Sequence, residues 1–263
     1  MKNCSIWLMK STKPTRDFGK EIPDPRDVFL KHCSRMVCKN AEYHELLQEA
    51  GSLGIDCRPL HGDSRSIPVA DGSVSLVVTS PPYVTSYEYA DLHQLSALWL
   101  GYAENLASFR EGFIGGAHNR KNEIIIGSEI GEATVAMLRS GKTGKDVEVA
   151  TYFSEMRETF LEMRRYLKPG GKACIVIGNT SFKKVEVPNA EVFVEQMENI
   201  GFGIHKVIKR RIPSKILPQT RDPLTGKFTA SDNHNKTLAY PHEYIVIMER
   251  RARPHRETAR LAR

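Results

Sequence analysis

The residues best equipped for chemistry in this 263-residue chain stand together at Thr79-Ser80-Pro81-Pro82-Tyr83, directly after the apolar run 74–78. Proline donates no N–H and fixes φ, so two in succession end strand pairing rigidly. A plain turn is served as well by Gly, Asn or Asp, so what the diproline adds is stiffness. It presents the Ser80 hydroxyl, a backbone carbonyl locked by the following proline, and the flat face of Tyr83. Those groups suit a planar ligand with an exocyclic amine, whose NH₂ donates to the oxygens while its ring stacks on the phenol. Acceptors so placed draw the amine out of the ring plane and localise its lone pair. The nitrogen becomes a better nucleophile with no strong base at hand.

The flanking pattern supplies elements to hold this corner. Residues 26–50 carry apolar side chains at mixed helical spacing, and Gly51 and Gly54 end that one helix or pair of helices. A short strand is expected at 57–61, closing on Gly62-Asp63, and a buried strand at 74–78. Residues 84–147 form a long insertion, helical over 89–99 and glycine-rich and irregular over 111–132. Apolar residues at 153, 156, 160, 163 and 167 define an amphipathic helix, stopped by Pro169-Gly170-Gly171. A strand at 173–177, a helix at 188–200 and strands at 204–212 and 244–249 complete the order, with a polar loop between the last two. This order predicts an α/β sheet finishing in an antiparallel pair. Ligands on such sheets bind at the carboxyl ends of the strands, where Asp63, Ser80 to Tyr83 and Gly178-Asn179 would gather.

Composition is ordinarily globular, with 40% hydrophobic and 26% charged residues. No apolar run reaches membrane-spanning length and no signal-peptide pattern opens the chain, so a cytoplasmic setting is expected. Five cysteines without CxxC spacing read as thiols, and no metal site is expected. The net charge of +7 suits a polyanionic partner. Part of it lies in the tail 251–263, a flexible solubilising end or a nucleic-acid contact. A second cluster, Lys206, Lys209, Arg210, Arg211 and Lys215, falls in a patterned segment.

In this order and spacing the residues resemble the amino-group DNA methyltransferases, which take a methyl group from S-adenosylmethionine and flip the target base out of the duplex. The likeness is carried by HGDSR, TSPPY, YEYADLHQLSALWLGY, IGSE, LKPGGKACIVIGN and the closing EYIVIMER, and spans about residues 20 to 250. It implies a Rossmann-like class I methyltransferase sheet over residues 1–250. Ser80, Pro81, Pro82 and Tyr83 would form the catalytic loop. Ser-Pro-Pro-Tyr is typical of cytosine-N4 enzymes, and Asp- or Asn-Pro-Pro-Tyr of adenine-N6 enzymes, so N4 methylation of a flipped cytosine is the leading reading and adenine-N6 the alternative. Asp63 would contact the cofactor's adenine, or serve only as a turn residue. Tyr87 and Tyr89 would line the base pocket or pack within the insertion. Asn179 stands beside the site, and Gly127-Ser128-Glu129 would order the insertion or form a surface turn. Double-stranded DNA is the implied partner, touched by the loop 213–241 through Lys215, Arg221 and Lys227; a solvated hairpin is the plainer reading of that loop.

One departure matters. Such enzymes hold S-adenosylmethionine with a Phe-x-Gly-x-Gly loop after their first strand, and its ribose with an acidic residue ending the second. Gly112 to Gly116, Phe202-Gly203 and Phe18-Gly19 do not stand after a suitable strand. The sheet therefore reads as incomplete, with the first strands missing. In that architecture the first strand pairs with the one carrying the catalytic motif, so 74–78 would leave backbone groups unpaired. A partner polypeptide supplying the glycine-rich half, self-association, or an unusual use of the N-terminal residues would answer this. A non-catalytic DNA-binding remnant is the reading from another class.

Overall fold

The structure, a computed structural model, describes residues 7–10, 13–84, 89–115, 123–182, 185–212, 220–222, 229, 233–238 and 241–252; side chains are described except at 7–10, 13–15, 89, 91, 92, 221 and 237. The elements begin with β1 (Trp7–Lys10), β2 (Lys13–Arg16), α1 (Pro25–Glu49), β3 (Val74–Thr79) and α2 (Tyr89–Trp99). There follow α3 (Leu106–Glu111), α4 (Glu129–Ser140), α5 (Asp146–Tyr166) and β4 (Leu167–Ile177). The order closes with β5 (Thr180–Phe182), β6 (Val185–Val187), α6 (Asn189–Asn199), β7 (Phe202–Arg211), β8 (Thr220–Arg221), β9 (Thr237–Leu238) and β10 (His242–Arg250). Two compact units result, one of Met1–His61 with Tyr89–Leu106, the other of Gly62–Glu88 with Ala107–Arg263.

In the first unit, β1 and β2 form an antiparallel hairpin. Pro25 opens α1 and Asp24 caps it, its carboxylate accepting from the N–H groups of Arg26 and Asp27. The one helix or pair of helices expected over 26–50 is a single helix, and none of its residues is buried. Phe29, Leu30, Met36, Val37, Tyr43 and Leu46 are all exposed.

The second unit is built on a sheet in the order β3-β4-β10-β7. β3 runs parallel to β4, and β10 is antiparallel to both β4 and β7. The antiparallel finish is therefore as expected. Side chains alternate between faces along each strand. On one face Val77, Ala173, Ile175, Ile177, Val246 and Met248 join the core formed by α4, α5 and α6. The α5 periodicity holds: Phe153, Met156, Phe160 and Met163 are buried, and Tyr152 and Val149 extend the stripe. The opposite face is bare at β3, where Leu76 and Val78 are 58% and 69% exposed.

Two expectations are corrected. No strand forms at 57–61; locally there is only an isolated bridge between Asp63 and Ser66. A strand exists by pairing, and no described segment pairs with those residues. The Pro169-Gly170-Gly171 stretch does not lie between helix and strand but inside β4, as a bulge that shifts the β3–β4 register between Val74 and Leu76. Gly170 takes φ +78°, and a Cβ on Gly171 would sit 2.8 Å from the Lys168 carbonyl, so both positions need glycine. Within the insertion, α2 forms as expected, the described residues between Glu111 and Ser128 are irregular, and α3 and α4 stand on either side of them. The α4 signal, Ser128 ahead of acidic Glu129 and Glu132, lies at the end of the glycine-rich stretch.

β3 is the terminal strand of its sheet, and among the described residues nothing pairs with its outer edge. The strand carrying the diproline corner thus lies at the sheet edge among the described residues. The connection leading into β3 is nonetheless firmly held. The Arg165 guanidinium donates to the carbonyls of Ile67 (2.9 Å) and Val69 (2.8 Å) and pairs with Glu162 and Asp71. Glu162 accepts from the Ile67 N–H at 2.7 Å. Its hydrogen bonds from Arg165 hold its carboxyl below the usual glutamate range.

Candidate active site

The parallel pairing of Thr79 with Ile175 brings the ends of β3 and β4 side by side. Past Thr79, Ser80 is exposed, Pro81 buried, Pro82 and Tyr83 half-buried and Val84 buried. No described side-chain hydrogen bond occupies the Ser80 hydroxyl. The Tyr83 ring rests on Gly178, where a Cβ would meet its carbons at 3.5–3.6 Å. Tyr83 is half-buried and packs against the core. Beneath the corner, the wholly buried Tyr152 donates its hydroxyl to the Pro82 carbonyl at 2.7 Å.

Asp63 ends the preceding loop with an exposed carboxylate clasped by Arg65. It accepts from the Arg65 backbone N–H at 2.9 Å and from the guanidinium at 2.7–3.1 Å. Arg65 in turn donates to Glu155 at 3.2 Å, and Glu155, 1% exposed, accepts from the Gly115 N–H at 2.7 Å. The Asp63 hydrogen bond, joined by the nearby Glu155 and Glu158 carboxylates, raises the Arg65 pKa against the opposing effect of burial. An acid–base–acid chain therefore ties the Asp63 loop to α5, and Glu155 also holds the insertion there at Gly115.

Asn179 braces the start of α6. Its oxygen accepts from the Ala190 N–H at 3.1 Å and its amide donates to Glu191 at 3.0 Å, which fixes the start of α6. Asn189, fully buried, donates to the Gly178 carbonyl at 2.9 Å and so steadies the shelf under Tyr83. Ser128 caps α4 and donates to Glu195 at 2.5 Å, while Glu195 also accepts from the Glu129 and Ile130 N–H groups. Gln196 and Asn199 donate to the carbonyls of Ile126 and Gly127. The IGSE stretch thus straps the insertion to α6.

Of the basic residues on β7, Arg210 pairs with Glu243 and Lys209 lies 5.8 Å over the Tyr244 ring. Lys206 and Arg211 are exposed. Tyr87, Lys215 and Lys227 lie outside the described residues, as do the side chains of Tyr89 and Arg221. Sequence reasoning missed Tyr152, Glu155 and Arg65. Tyr152 could have been found, since it stands one helical turn before Met156 on the buried stripe and carries a hydroxyl that burial obliges to find a partner.

With this geometry in place, the likeness to known proteins can be read. Residues 74–260 match the family model described as DNA methylase. The chain belongs to the DNA methylase family. At 23% identity over 243 residues it is similar to the type II methyltransferase M.MvaI of Kocuria varians, across 86% of this chain and 52% of that protein. At 22% over 208 residues it is similar to type II methyltransferase M.BsoBI of Geobacillus stearothermophilus, across 68% of this chain and 39% of that one. The chain thus spans about half the length, or less, of these relatives. Among solved structures, a putative DNA modification methylase of Thermus thermophilus complexed with S-adenosyl-L-methionine aligns at 18% identity and TM-score 0.37, covering 76% of this chain and 57% of that one. PvuII DNA methyltransferase, cytosine-N4-specific, aligns at 16% and TM-score 0.35, covering 72% and 47%. Among the described residues no helix is long and apolar enough to cross a membrane.

Proposed function

We infer that this DNA methylase chain carries the amine-activating part of an enzyme that moves a methyl group from S-adenosylmethionine to the N4 amine of a cytosine flipped from duplex DNA, in the cytoplasm. The observation that carries this reading is the diproline corner, with an exposed Ser80 hydroxyl beside a half-buried Tyr83 ring at the carboxyl end of β3. Ser80 would accept a hydrogen bond from the amine while Tyr83 stacks on the base, and the proton leaves the nitrogen only as the methyl arrives. Serine ahead of the prolines favours cytosine-N4; adenine-N6 is the second reading, since the same acceptors serve an adenine amine. Exposed Lys206 and Arg211, with Lys215, Arg221, Lys227 and Tyr87, are the proposed contacts to phosphates and the flipped base.

The described residues do not by themselves fit S-adenosylmethionine. No described strand flanks β3 on the side where a glycine loop would be carried, and the Asp63 carboxylate is already held by Arg65. The donor's cradle is therefore assigned to polypeptide that pairs with the β3 edge, from a partner chain, a second copy or a further stretch of the same protein. Isothermal titration of this chain with S-adenosylmethionine should show no tight binding; tight binding by a monomer would remove the need for a complement.

Nucleoside mass spectrometry of DNA from expressing cells tests the reaction. N4-methylcytosine is expected, and its loss in Tyr83→Ala and in Pro82→Ala, by about 100-fold or more given the cost of misplacing reacting groups. N6-methyladenine instead would decide for the second reading. Undiminished methylation in both variants would leave only a DNA-binding role.

A further inference from the structure

Between Ser80 and Tyr83 the backbone has few soft torsions. Peptide planes are fixed and each proline locks its own φ. At Pro82 this leaves ψ alone, and ψ at that residue sets both where its carbonyl points and the direction in which the chain delivers Tyr83. That carbonyl is the one Tyr152 holds, at 2.7 Å.

The post is unusually stiff. Tyr152 has no exposed surface, and its ring packs against Phe153 and stacks on Phe193 with centroids 6.1 Å apart. Gly115 covers another side so closely that a Cβ there would come within 2.8 Å of the ring. Water is thus kept from the hydroxyl, and a hydrogen bond in such a setting is stronger than one in solvent. One turn on, at Glu155, the same helix face takes the Gly115 N–H and, through Arg65, the Asp63 loop.

We propose that Tyr152 is a positioning residue for methyl transfer: by pinning the Pro82 carbonyl it removes the last free torsion before Tyr83 and so sets the stacking ring against the acceptor oxygens. It touches neither base nor donor. This role rests on the reading of the corner given above. It also gives a role to the return of the insertion to α5 at Gly115, where it lies against the edge of the Tyr152 ring.

The test is Tyr152→Phe in the full chain, which keeps the buried ring and removes only the hydroxyl, with Tyr166→Phe as control because Tyr166 is buried on the same helix away from the corner. Hydrogen exchange at the Tyr83 and Val84 amides should quicken by about tenfold in Tyr152→Phe, and not in Tyr166→Phe, while exchange elsewhere on α5 is unchanged. Methyl transfer, measured with whatever complement the wild type needs, should fall about tenfold in kcat with KM for DNA unchanged. Wild-type kcat, unchanged exchange at Tyr83 and Val84, or faster exchange throughout α5 would each overturn the proposal, the last by showing a merely structural role. A wild type that transfers no methyl group overturns the reading of the site itself, which is a different result from an active wild type that tolerates the change.

Discussion

The two faces of the β3-β4-β10-β7 sheet are made from similar residues and meet opposite fates. On one, Ala173, Ile175, Ile177, Val246 and Met248 are buried under α5 and α6. On the other, Leu76 and Val78 project from the strand that carries the diproline corner and are mostly exposed. Adjacent residues of one strand thus differ only in which way they point. An apolar face beside an unpaired strand edge is an invitation to association. Its place beside the proposed site puts whatever covers it next to the chemistry. The covered face packs on helices, and the bare one leaves Leu76 and Val78 mostly in water.

If this contrast is right, the largest effect comes from the covered face. Phe160→Ala removes a ring with no exposed surface that packs edge-on to Phe193 at 4.9 Å. It should lower unfolding free energy by about 3–5 kcal/mol in urea titrations. A loss under about 1 kcal/mol would mean that the α5–α6 core is not what holds the unit together.

A smaller effect is expected at the rim, where Arg165 and Glu162 fasten the connection into β3. The Glu162 carboxyl is held below its usual range chiefly by the Arg165 hydrogen bonds. Its ionised form is therefore favoured in the folded chain, and that stability is present above the ordinary glutamate pKa of about 4.3. It is lost as pH falls through the lowered folded value. Compared by urea midpoint, wild type should exceed Glu162→Gln at neutral pH and converge with it in acid. A gap that persisted below the folded pKa would mean that packing or the Ile67 N–H, and not charge, is responsible.

How much of this was legible depended on whether the signal was local. The α5 stripe was plain because burial against a sheet selects one helical face, and the Ser80–Tyr83 corner was plain because two prolines have few other uses at a strand end. The antiparallel close of β7 and β10 followed from two apolar runs and a polar loop between them. The place of β3 at the edge of its sheet, with no described strand beyond it, was also legible, as an absent glycine loop. What was hidden depends on partners distant in sequence. A strand at 57–61 had the right residues but no described segment to pair with. Asn179 read as a site residue because it follows β4, and its bonds to Ala190 and Glu191, which brace the start of α6, could not be read from the sequence. Tyr152 stood outside the expected stripe of 153, 156, 160, 163 and 167, since its hydroxyl acquires meaning only when the Pro82 carbonyl, 70 residues away in sequence, meets it.

The smallest effect on folding belongs to the bare face, and it separates the two faces most cleanly. Leu76→Ala and Val78→Ala remove side chains that are already mostly in water, so the chain alone should change by no more than about 0.5 kcal/mol. The same positions changed to Asp should also leave the isolated chain folded, because an exposed carboxylate is not desolvated. In cells the outcome should differ. If other polypeptide lies over this face when methyl transfer occurs, Leu76→Asp and Val78→Asp bury an unpaired charge in that contact and should reduce methylation with no matching loss of stability. Methylation at wild-type level in both Asp variants would mean that the face stays in water throughout, and the complement would then have to reach the corner along the β3 edge by backbone pairing alone.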